Sequence, residues 1–146
     1  MEILYYNFAM NEMYNMGLSL HSIGGIALVG VVFLNIFMLR IAKDLQKYKR
    51  LMSIFLLPLT ATVIGLDIFT GVIMMAAKHL DFTIANIVMI IISIILIVLE
   101  AKRAKSLKYI NPNKDRALEA YKGYGIKLLY IEAAWVLVIF IWMWWI

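Results

Sequence analysis

His21 and His79 are the only two histidines in the chain, and it has no cysteine. This combination bounds the chemistry open to it. Neutral imidazole ligates haem iron, copper or zinc. Without thiols there is no disulfide, no thiolate metal site and no covalent c-type haem attachment. Two imidazoles brought to similar depth on facing helices would form the bis-histidine clamp of a membrane b-type haem. Gly24 and Gly25 follow His21 by three and four residues and Gly17 precedes it by four, so all share its helix face. Their missing side chains leave room for a flat porphyrin, or equally for another helix. A second donor set overlaps the first: Met10, Met13 and Met16 recur every third residue, and Met75 lies four residues before His79. Thioethers with imidazole suit Cu(I), although methionine is also a common apolar filler.

Two carboxyl groups, Asp67 and Glu132, fall inside long apolar stretches. A charged carboxylate at such depth costs at least ~2.5–3.5 kcal/mol, so these side chains are expected to face the bundle interior, to pair, or to stay protonated. Asp67 then serves either a proton or cation path, or helix specificity through a hydrogen bond to Thr60, Thr70 or Asn35. Glu132 is expected nearer the headgroups and Lys127. Trp135, Trp142, Trp144 and Trp145, with Tyr130 and Phe140, read as an interfacial anchor. No Gly-rich phosphate loop, Ser/His/Asp set or His-Glu-x-x-His motif is present, so the sequence assigns no catalytic residue.

The elements that must position these groups are transmembrane helices. The hydrophobic fraction is 64%, against ~45–50% in soluble domains, and mean hydropathy is +0.88. Apolar stretches over residues 17–39, 51–77, 82–99 and 126–146 each approach the ~20 residues a bilayer core requires. In 146 residues they leave no room for a soluble catalytic domain. The predicted fold is all-α: a single membrane domain, an up-down four-helix bundle. Every Lys and Arg except Lys78 falls between Arg40 and Arg50 or between Lys102 and Lys127. Basic residues mark the cytoplasmic side of short loops, so residues 40–50 and 100–125 read as inner loops, with both termini on the outer, periplasmic side. Residues 1–16, where tyrosines interleave with asparagines, suit a segment lying in the outer interface. Lys78-His79-Leu80-Asp81 forms the tight outer turn. Asn111-Pro112-Asn113 should stop the third helix, with Asn113 capping the next one. The formal charge of +5 suits anionic lipid headgroups and argues against nucleic acid as a partner. Location in a bacterial inner membrane is expected.

Leu20-His21-Ser22-Ile23-Gly24, and Arg50-Leu51-x-x-Ile54-x-x-x-Pro58 with Gly65, resemble the HemJ-type protoporphyrinogen oxidases and the related CopD-like membrane proteins over roughly residues 18–77. The resemblance implies a small multi-span protein with an outer-half histidine on its first helix. It implies b-type haem for the HemJ type and copper handling for the CopD type. The HemJ pattern has a Trp near the middle of span one followed by Leu-Pro-Arg, where this chain reads Val31-Val32-Phe33-Leu34-Asn35; it also has a basic residue in or near span three, and residues 84–99 contain none. Oxidase activity is therefore not carried over, whereas His21 is carried over as a haem-ligand candidate. Three readings follow. One is a b-type haem protein working in electron transfer, with a membrane or redox protein as partner. The second is a copper-handling protein using the Met/His donors. The third is a non-catalytic membrane subunit or scaffold of a larger complex, with homo-oligomers left open.

Overall fold

The computed structural model describes residues 2–79 and 82–145, with side chains from Tyr5 onward. Leu80 and Asp81 of the expected outer turn lie outside these residues. The described chain is helical, in the order α1 (Glu2–Ile41), α2 (Leu45–Leu51), a π-helical turn (Met52–Leu56), α3 (Leu57–Ala77), α4 (Ile84–Tyr109) and α5 (Ala117–Trp145). Since α2 runs through the π turn into α3, there are four helices long and apolar enough to cross a membrane: Tyr5–Ile41, Leu45–Ala77, Ile84–Tyr109 and Ala117–Trp145. This is the all-α four-helix bundle expected of an integral membrane protein. α1 packs on α3 and α5, and α4 packs on the same two.

Several boundaries differ from the sequence reading, each for a local reason. α1 does not break near residue 16; its 40 residues extend about 60 Å at 1.5 Å per residue, twice the ~30 Å hydrocarbon core. Residues 2–16 therefore continue the span in line. Much of the supposed loop 40–50 is helix. Asp44 caps α2, its Oδ1 accepting from the backbone N–H of Gln46 at 2.8 Å and of Lys47 at 3.0 Å. The π turn meets the needs of Pro58, which has no N–H and whose ring crowds the preceding turn. Leu57 N–H bonds back to Met52 O, widening the helix there. α4 continues past residue 99 to Tyr109 before Asn111-Pro112. Asn113 does not cap α5: its N–H donates to Asn111 Oδ1 at 3.0 Å in an Asx turn, and the helix starts at Ala117 after Arg116, whose φ is 58°.

The core is concentrated in one half. Buried residues on α4 are Ile92, Leu96, Glu100, Arg103 and Leu107, with none before Ile92; on α5 they run from Ala117 to Val136, with none after it. Leu39, Leu56, Leu129 and Val32 fill the centre of the packed half. Thus the end carrying the basic residues is closed, and the end carrying the described start of α1 and finish of α5 is open.

Candidate functional sites

Two polar groups are built into the apolar bundle. The first lies between α1 and α3. His21 Nδ1 is 3.1 Å from Asp67 O and 3.0 Å from Thr70 Oγ1. The Thr70 hydroxyl itself donates to backbone oxygens, Leu66 O at 2.9 Å or Asp67 O at 3.1 Å, so towards His21 it accepts. Both neighbours of Nδ1 are then acceptors, which assigns the ring proton to Nδ1 and leaves the lone pair on Nε2. Metal-ligating histidines are commonly held in this way, by a hydrogen bond from the other ring nitrogen. Beside the ring, a Cβ on Gly71 would lie 3.8 Å from His21 Cε1.

The glycines on the same face of α1 serve helix packing. A Cβ at Gly24 would collide with Asp67 Oδ1, one at Gly17 would come within 2.9 Å of Met74 Cγ, and one at Gly25 would meet Phe140 of α5 at 3.9 Å. The gap left at Gly24 is thus taken by the Asp67 carboxyl group and offers no porphyrin bed. Asp67 Oδ1 is buried without a hydrogen-bond partner. Of its expected partners, Thr60 and Asn35 bond to each other, Asn35 Nδ2 donating to Thr60 Oγ1 at 3.1 Å.

His79 is not at the level of His21. It ends α3 in the left-handed region, with φ 55°, its N–H donating to Ala76 O at 3.2 Å and its ring stacked on Tyr6 with centroids 6.3 Å apart. Thr70, which touches His21, lies nine residues earlier, roughly 13 Å along the helix axis. A clamp with both imidazoles on one iron is not formed within this chain. Nor do the methionines converge. Met10 and His21 are eleven residues apart on one helix, about 16 Å; Met16 is 61% exposed; Met13 and Met75 are half-buried. Met74 packs against α1 at Gly17. Among the described residues no group of three or more His, Cys, Asp or Glu is placed to hold a metal ion.

Of the ionisable residues in the second polar group, only Glu132 was expected inside the bundle. Arg103, counted by sequence among the loop cations, is 0% exposed. Its Nε donates to Glu100 Oε2 at 2.8 Å and its Nη2 to Glu100 Oε1 at 2.6 Å, a bidentate pair. Nη2 also donates to Asn35 Oδ1 at 2.9 Å, and Nη1 reaches Met52 Sδ at 3.3 Å, in the π turn. Glu132, 2% exposed, faces this cluster and feels the charges of Glu100 and Arg103; its Oε1 has no partner. It therefore faces the core of the bundle. The rings of Tyr48 and Tyr121 meet in a tilted pair, centroids 5.9 Å apart, over the same region. The sequence signal was present: Glu100 and Arg103 continue the buried stripe Ile92, Leu96, Leu107 at helical spacing. Around the cluster, Arg40 donates to the Tyr130 hydroxyl, so Tyr130 belongs to the closed end and not to the exposed Trp144–Trp145 end. No family model, curated protein or solved structure matches this chain.

Proposed function

We propose that the chain holds a b-type haem through His21 and works in membrane electron transfer, with both termini on the outer side of a bacterial inner membrane and the Lys/Arg-rich end inside. The observation that carries this reading is the His21 ring: Nδ1 is committed to Asp67 O and Thr70 Oγ1, so Nε2 is the free donor. In the same half of the bundle α4 buries nothing before Ile92 and α5 nothing after Val136, so neither helix is packed over that end. His21 is the residue that would hold the haem iron, through Nε2, and His79 is not placed beside it. Haem would supply a one-electron couple; the protein would orient the imidazole and set its basicity through Asp67 and Thr70. The Val31–Asn35 difference stands, and oxidase activity is not part of the proposal.

The test is a reduced-minus-oxidised absorption spectrum of detergent-purified protein with metal analysis on the same sample. Soret and α bands that vanish in His21→Ala support the reading. Stoichiometric copper without those bands, or neither cofactor from haem-replete cells, overturns it.

A further inference from the structure

The closed end has a groove unlike the rest of the surface. It runs between the π turn with its flanking residues and the last turns of α4, with a volume of about 390 Å³. Lys49, Lys105 and Lys108 line it together with Met52, Leu57 and Leu107. Its cations are fixed in part by the backbone. Lys49 Nζ donates to Lys108 O at 2.9 Å, at the end of α4 where the last carbonyls lack helical partners and the helix dipole favours a cation. No carboxylate lines the groove, and the ion pairs among the described residues, Arg103–Glu100 and Arg116–Glu119, do not include its lysines. Three lysines thus line an apolar trough that contains no carboxylate, Lys108 Nζ lying 5.6 Å from the ring centroid of Tyr109, which also lines it.

The groove also has the right depth. Residues 84–99 of α4 carry no charge; Lys105 and Lys108 follow roughly 9–14 Å further along the axis, where headgroups replace hydrocarbon. Basic pockets between helices at this level suit acidic lipid headgroups. A neighbouring groove of about 330 Å³, lined by Lys43 and Lys47, differs in containing Asp44, which supplies the negative charge that the first one lacks.

We propose that the groove formed by Lys49, Lys105 and Lys108 over Met52, Leu57 and Leu107 binds one anionic phospholipid, the phosphate diester on the lysines and an acyl chain along the apolar wall. The site is separate from His21 and independent of the haem reading.

The experiment is native mass spectrometry of the full chain released from mixed phosphatidylglycerol and phosphatidylcholine. One phosphatidylglycerol should be retained in preference to phosphatidylcholine. Lys105→Gln with Lys108→Gln, which keeps the backbone carbonyl that Lys49 uses, should weaken retention by roughly fivefold per lysine. Lys43→Gln with Lys47→Gln removes the same charge from the Asp44 groove and should leave retention unchanged; circular dichroism confirms that both variants fold. Equal retention of the two lipids overturns the proposal, as does equal loss in the two double variants. Displacement by millimolar inorganic phosphate would also overturn it, in favour of a free-phosphate site.

Discussion

Asn35 Oδ1 accepts a 2.9 Å hydrogen bond from Arg103 Nη2 while Asn35 Nδ2 donates to Thr60 Oγ1 at 3.1 Å, so a single amide joins α1, α3 and α4. Replacing it by leucine strands a guanidinium N–H and removes the cross-link. Asn35→Leu should cost about 2–4 kcal/mol, measured by reversible unfolding in mixed detergent. Thr60→Val keeps the contact of Asn35 with Arg103 and should cost about 1 kcal/mol; equal losses would show that Asn35 acts by packing alone.

The two buried glutamates should behave differently. Glu100 receives both bonds of the bidentate pair, and breaking a buried pair from one side costs about 3–5 kcal/mol. Glu132 has an unpartnered oxygen, and with one guanidinium for two carboxyl groups it has no cation of its own. Glu100→Gln should approach the full penalty, whereas Glu132→Gln should stay within about 1 kcal/mol. The same unfolding assay ranks them, and the reverse order would contradict this division of roles.

At Gly24 the constraint is steric and has a named opponent. Gly24→Ala should destabilise by about 1–3 kcal/mol through overpacking, because its Cβ would enter the space of Asp67 Oδ1. In an Asp67→Ala background most of that cost should disappear, giving a coupling of at least about 1 kcal/mol. Gly30→Ala, where no atom lies within 4 Å, serves as the control and should not destabilise the bundle.

For His21 the proposed haem predicts a graded series. His21→Ala should abolish the haem bands. Thr70→Val removes one of two acceptors on Nδ1 and leaves Asp67 O, so haem should still bind with affinity reduced by about tenfold, at the mild end of second-shell effects. His79→Ala should leave the spectrum unchanged. Haem titration of the three purified variants reads all of these, and loss of the bands in His79→Ala would require a second chain to bring the two imidazoles together.

Much of the architecture was legible because bilayer thickness dictates helix length and four apolar stretches meet it. The boundaries were less so. Asp44 and Pro58 act through individual hydrogen bonds, and a hydropathy pattern does not register an aspartate that turns a basic loop into a helix. Arg103 was misassigned for a related reason: surrounded by Lys102 and Lys105, it looks like one more loop cation, and only the periodicity through Ile92, Leu96 and Leu107 puts it on the inner face. His21 was legible as a polar group on an apolar helix, but its tautomer depends on Asp67 and Thr70, more than forty residues away. The level of His79 depends on where α3 ends, which its own left-handed backbone sets.

The placement of the core has a mechanical consequence. Cooperative opening costs least where few apolar contacts must be broken, and burial on α4 begins at Ile92 and on α5 stops at Val136. Amide exchange should therefore run as a gradient along each helix, fast over residues 84–91 and 137–145 and slow around Leu39, Leu56, Arg103 and Leu129. The bundle should behave like a tuning fork clamped at its basic end, with the start of α4 and the finish of α5 as its looser tines.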